Sequence, residues 1–109
     1  MLKWMGCAAA IGLLALTVDT VEAAKKKSKP PVPFTEEILG DDARITAGEE
    51  IWADQCRHCH GAKAYPGKAP KLRPAKYKPD FVYRRVTDGF RKMPPREDVY
   101  TDDERMNIV

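Results

Sequence analysis

Apolar and polar positions fall into blocks of different period along this chain. Trp4 to Val18 is apolar or nearly so, and Asp19 closes the run. Ala24 to Phe34 reads AKKKSKPPVPF, rich in lysine and proline, with no acidic residue. It has no apolar period and reads as a solvated, partly polyproline-like leader without means of packing. Thr35 to Arg44 is acidic and turn-rich, with a short helix at Glu36 to Leu39. A longer helix follows, opened by a Thr46–Glu49 capping box. Gly48, Trp52 and Cys56 recur at helical spacing, with Cys59 close behind, so one helix face leads to the cysteines. Gly61 to Lys78 shows no periodicity and is broken by prolines and glycines. Such a long loop in a small domain serves a site or wraps something. Pro79 suits the first position of the next helix and Asp80 its first turn. Val82 and Val86, with Phe81 and Arg85 beside them, make a modest apolar stripe, and Gly89 is a C-cap. Phe90 to Tyr100 is a loop built around Met93-Pro94-Pro95. Thr101 with Glu104 forms a second capping box, which opens a terminal helix at Asp102. The pattern is all-α, and no internal repeat is visible.

Cys56-Arg57-His58-Cys59-His60 carries the chemistry. It is an intact C-x-x-C-H box, the pattern for covalent attachment of a c-type haem. The two thiols sit on nearly the same side of a helical turn and can reach both vinyl groups of one porphyrin. The histidine that follows is then held where its imidazole can bind iron axially. A redox dithiol would need a thioredoxin-like strand–helix context, and a zinc site a second cysteine or histidine pair. Neither is present in the sequence.

The N-terminus agrees with this chemistry. The chain has 109 residues and three cysteines. Cys7 lies in the apolar run. Lys3 gives a positive n-region, and Val21-Glu22-Ala23 offers small residues to a signal peptidase. Residues 1–23 therefore read as a secretory signal peptide cleaved after Ala23. The alternative is a retained anchor, but the run is short for the roughly 20 apolar residues of a spanning helix. Most of the apolar run follows Cys7, where a lipoprotein signal needs it before the cysteine, so a lipoprotein reading fails. Residues 24–34 form the leader and 35–109 the folded domain. Export with a haem box points to the periplasm. A domain this small buries a limited core by itself. A buried porphyrin would supply apolar surface, so haem and fold should stabilise each other.

The second iron ligand is sought among the remaining methionines, Met93 and Met106. Met93 precedes Pro94, which biases its backbone to an extended form, and Pro95 stiffens the strap. Met106 falls on the terminal helix, at a position suited to core packing. Met93 is the preferred axial ligand, with a lysine or an open site as the alternatives.

These pieces together resemble a class I, single-haem bacterial cytochrome c. The resemblance rests on the helix with Gly48 and Trp52, the CRHCHG box, Ala69-Pro70-Lys71-Leu72, the helix ending at Gly89, Met93-Pro94 and the last capped helix. It implies a small cytochrome c fold of about three to four helices around one covalent haem c. It also implies that the Pro70 carbonyl accepts from the other ring nitrogen of His60, fixing its tautomer, and that Leu72 packs on the porphyrin. The family's final helix usually runs for two or more turns and brings an aromatic residue against the first helix. Here only eight residues follow Thr101, which leaves the crossing beside Gly48 undecided.

Charge is sorted along the chain. Cys56 to Arg96 holds twelve basic and two acidic residues, whereas Thr35 to Gln55 holds seven acidic and one basic. Glu97 to Val109 holds five acidic and one basic. The haem-bearing part is thus positive and should steer an acidic partner. Lys63, Lys68, Lys71, Lys76, Arg91, Lys92 and Arg96 are the candidate docking face. A basic stretch around a haem box in an exported chain argues against nucleic acid. The expected function is a monomeric periplasmic electron carrier, not an enzyme. It would exchange one electron with acidic-faced redox proteins, a dehydrogenase, oxidase or reductase. The alternatives are an electron-entry subunit docked to a dehydrogenase and a five-coordinate haem sensor or peroxidase.

Overall fold

The computed structural model describes residues 27–109. The expected signal segment, residues 1–23, lies outside the described residues. Among the described residues there are five α-helices: α1 (Glu36–Leu39), α2 (Asp42–Ile51), α3 (Arg57–His60), α4 (Pro79–Asp88) and α5 (Asp102–Ile108). Among the described residues the only extended pairing is an isolated bridge between Phe90 and Met93. The all-α expectation holds.

Local chemistry explains the helix ends, with one correction. The helix expected to open at the Thr46–Glu49 box begins a turn earlier, at Asp42. Asp41 is its N-cap, and its carboxylate accepts from Arg44 N at 2.8 Å. Thr46 lies inside the helix and donates back to Asp42 O at 2.9 Å. An aspartate cap one turn upstream thus takes the role assigned to threonine. The other helix ends foreseen in the sequence, Pro79, Gly89 and the Thr101–Glu104 box, are where it places them, and Thr35 adds a cap not foreseen. Thr35 caps α1, Pro79 opens α4, and Gly89 ends α4 at φ 72°. Thr101 and Glu104 form a reciprocal capping box on α5.

α2 runs into α3 through one π-helical turn, Trp52–Cys56. Its wider i→i+5 pitch inserts extra backbone just before the box, a placement typical of functional sites. The sequence pattern gives no warning of this turn.

α2 crosses α5 at Gly48. A Cβ on Gly48 would stand 1.9 Å from Asn107 O, so only glycine admits this backbone-to-backbone approach. The crossing left undecided by the short final helix is therefore made. Arg44 ties it from the side, with bonds of 2.8 Å to Asn107 Oδ1 and Asp103 Oδ1.

The apolar core is small. Among the described residues Tyr83, Val86 and Met106 are the buried hydrophobic side chains. Met106 takes the packing position expected of it. Arg105, also buried, spans from α5 to the preceding loop. It donates to Glu97 O and Tyr100 O at 2.8 Å each and to Asp102 Oδ1. A charge buried here is tolerable because it is paired and hydrogen-bonded.

The leader does more than its composition suggests. Ser28 N donates to Asp88 Oδ2 at 3.2 Å, and the Ser28 hydroxyl bonds Asp88 Oδ1. The Phe34 ring meets Tyr83 edge-on, with centroids 6.3 Å apart. Ser28 and Phe34 therefore have partners on α4, where a lysine- and proline-rich composition leads one to expect none. Prolines preset the extended form, so little ordering entropy opposes the contact.

Candidate haem site

The attachment box ends the long α2–α3 helical run. Cys56 is half-buried and Cys59 is exposed, and no disulfide joins them. Burial pushes the Cys56 thiol up, and the Arg96 charge partly offsets this. His60 is half-buried, and burial pushes its imidazole down, toward the neutral form that binds metal.

Trp52 stands behind His60. Its ring centroid lies 5.5 Å from the imidazole, and its indole Nε1 donates to Gly61 O at 3.0 Å. The residue on the helix stripe therefore fixes the backbone immediately after His60.

Residues 61–69 then fold back on the box. Ala69 N donates to Cys59 O at 2.8 Å. Gly61 turns at φ 89°, where a Cβ would meet Pro66 O at 2.1 Å. The loop therefore wraps the box, as its length suggests. One expected contact is absent: His60 Nδ1 is buried without a hydrogen-bond partner, so the Pro70 carbonyl does not accept from it. Pro70 is exposed and Leu72 half-buried. The reason lies next door, since Cys59 O draws in the amide of Ala69 and Pro70 leaves toward solvent.

Met93 is half-buried on a strap held at both ends. Phe90 and Met93 exchange two backbone bonds of 2.9 Å across a tight turn, with Arg91 at φ 52°. Arg96 N donates to Val86 O at 3.0 Å and to Thr87 O at 3.2 Å, which fastens the far end to α4. Gly89 permits the fold-back, since a Cβ there would meet Met93 O and Pro95 N at 2.7 Å each. The two prolines supply stiffness and the hydrogen bonds supply position. Sequence reasoning missed Arg96 and Tyr100 as neighbours of Cys56. Burial pushes the Tyr100 hydroxyl up, with Arg96 opposing and Cys56 and Asp54 adding to the shift.

The residues present fit a haem. Two thiols three positions apart, an imidazole that burial holds toward its neutral form and a thioether on a tethered strap are the donor set such a group needs. The small buried core, with Tyr65, Phe90 and Val99 about half exposed, leaves apolar side chains for a large apolar group to cover.

Comparison with known proteins agrees. Residues 43–109 match the family model described as cytochrome c oxidase, cbb3-type, subunit III. This match spans more than half of the chain, and the chain belongs to that family, a mono-haem c-type cytochrome with covalently bound haem c. Among solved structures, cytochrome cL from the marine methylotrophic bacterium Methylophaga aminisulfidivorans MPT is similar in fold, with a TM-score of 0.54 at 24% identity. The alignment covers 72% of this chain and 64% of that one. No curated protein matches the chain.

Proposed function

We propose that this protein is a periplasmic one-electron carrier whose haem iron is held by His60 and Met93. The tethered strap carries this reading. Met93 is fixed through its own backbone, Gly89 and Arg96, which limits the ordering entropy of a thioether ligand. The bound haem supplies the one-electron couple. Cys56 and Cys59 anchor it, and Trp52 holds the backbone behind His60. Histidine–methionine ligation raises the potential and leaves no open position for small ligands. The basic stretch from Cys56 to Arg96 steers an acidic redox partner.

The ferric protein should show the weak near-infrared band of sulfur-to-iron charge transfer. Met93→Ala should abolish the band and open the iron to carbon monoxide, whereas Met106→Ala should leave the band intact. A band that survives Met93→Ala would refute the assignment.

The family description favours a second reading, a component docked in a larger redox complex, since it names a subunit of an oxidase. A stable complex recovered from gently solubilised membranes would select it over a mobile carrier.

A further inference from the structure

We propose that residues 28–34 are a latch on the Met93 strap. Docked on α4, they hold the strap in place. Undocked, they let the sixth iron ligand leave more readily. The effect at the iron rests on Met93 being that ligand, whereas the hold on the strap rests on backbone contacts alone.

The strap and the leader are both rooted on the last turn of α4. Gly89, at φ 72°, turns the chain out of the helix into the strap. Arg96 N, at the strap's far end, returns to Val86 O at 3.0 Å and Thr87 O at 3.2 Å. Asp88, between Thr87 and Gly89, takes the leader. Its Oδ2 accepts from Ser28 N at 3.2 Å, and its Oδ1 bonds the Ser28 hydroxyl. Whatever moves the backbone of residues 86–89 therefore moves both ends of the strap. An acid is disfavoured at this position, because α4 ends there and the helix dipole is negative at that end. The two donors of Ser28 turn an unfavourable helix-end charge into an anchor.

The leader meets α4 near its two ends and stands off between them. Its second contact is Phe34 on the buried Tyr83, with ring centroids 6.3 Å apart. Between the contacts lies an open cleft of about 380 Å³, with Ser28, Lys29, Pro30 and Pro33 on one side and Asp80 and Arg84 on the other. Asp80, Arg84 and Asp88 recur every four residues, so one face of α4 looks onto the leader. A mostly exposed segment held at two points belongs to the least stable part of a fold and opens without global unfolding. Its prolines keep it extended when free, so it redocks with little loss of entropy. The strap can thus pass between held and loose while the α2–α5 crossing stays closed.

The test is amide hydrogen exchange on the ¹⁵N-labelled ferrous holo-protein, with imidazole binding to the ferric form beside it. With Met93 on the iron, imidazole must displace it, so the binding rate reads strap opening at the haem. Ser28→Ala removes the hydroxyl donor, and Asp88→Ala removes the whole anchor. In both, the Met93 and Arg96 amides should exchange about three- to tenfold faster, the factor for losing one hydrogen bond. Imidazole should bind faster by a similar factor. The double variant should be no looser than Asp88→Ala, because both changes remove one contact. Arg44→Met is the control. It cuts the bonds from α2 to Asn107 and Asp103 and lowers global stability, yet should leave strap exchange and imidazole binding at parent rates. A merely structural Asp88 gives the opposite sign, since removing an acid from the end of α4 should steady the helix and slow exchange there. Unchanged or slower exchange at Met93 and Arg96 would overturn the latch. Equal acceleration by Arg44→Met would also overturn it, because the strap would then open only with the whole fold. Faster strap exchange with unchanged imidazole binding would overturn the control over the iron. Failure of the Met93 reading shows separately, as a parent protein without the near-infrared band, and the exchange rates would still decide the latch.

Discussion

The Trp52 indole lies 5.5 Å from the His60 imidazole while its Nε1 binds the carbonyl of Gly61, the next residue in the chain. One side chain thus backs His60 and fixes where the chain goes after it. Trp52→Phe keeps most of the ring and loses the hydrogen bond. It should destabilise the holo-protein by about 1 kcal/mol. Trp52→Ala should cost roughly 2–4 kcal/mol, below the figure for a fully buried tryptophan because Trp52 is half-exposed. Denaturant unfolding followed by haem absorbance reads both. A phenylalanine variant as stable as the parent would show that the indole N–H does nothing for the fold.

Two glycines should fail differently when replaced by alanine. Gly48→Ala drives a Cβ into Asn107 O and must separate α2 from α5, at a cost of about 1–3 kcal/mol or more. Its near-infrared band should persist until global unfolding. Gly89→Ala strains a positive φ and presses on Met93 O, so the band should weaken at temperatures where the helices remain intact. Gly40→Ala is the control, since Gly40 has φ −99° and its nearest outside atom is Glu36 O at 3.1 Å. A near-infrared band that melts together with the helices in Gly89→Ala would separate that glycine from the strap.

Electron exchange with an acidic redox partner should fall steeply as salt rises. The Debye length shrinks from about 30 Å at 0.01 M to about 10 Å at 0.1 M, which removes long-range steering. Reversing the exposed Lys71 and Lys92 together should slow association more than it moves the potential. Reversing Glu36 and Glu37 should do little or speed it slightly. Stopped-flow rates decide, and a rate flat with salt would place the contact elsewhere.

Acid should loosen the end of the domain through Asp102. Hydrogen bonds from Tyr83 and Arg105 hold its carboxyl below the usual carboxylate range. A carboxyl with a depressed folded-state pKa contributes its stability above its unfolded-state value and loses it as pH falls through the folded value. Stability against pH should therefore slope downward below the ordinary aspartate range. Asp102→Asn should flatten that part of the slope. An identical acid limb in the variant would remove Asp102 from the account.

Much of the site was legible because its chemistry is local. Cys56, Cys59 and His60 are neighbours in sequence, and the Met-Pro-Pro strap announces itself through backbone restriction. The Thr101 and Gly89 caps were legible for the same reason, since each acts within one turn. What the sequence hid depends on distant partners. Nothing in the Gly48 stripe tells that Asn107 will close on it, and no periodicity marks the π turn at Trp52–Cys56. The buried Arg105 looks like any charged residue of a surface helix until Glu97, Tyr100 and Asp102 converge on it. Asp41 displaced Thr46 as helix cap because two good caps one turn apart compete, and pattern alone does not rank them. Ser28 reached Asp88 across the whole domain, a contact that a lysine- and proline-rich composition gives no reason to expect.

Among the described residues only three apolar side chains are buried, and this has a consequence for how the protein is made. Such a polypeptide has little reason to fold before its pigment arrives. Thioether formation must then happen on an open chain whose two thiols are kept reduced, and folding becomes the last step of assembly. Chains that miss their haem would remain open to proteases, so the cell's stock of this protein would be set by the supply of porphyrin and reductant as much as by its synthesis.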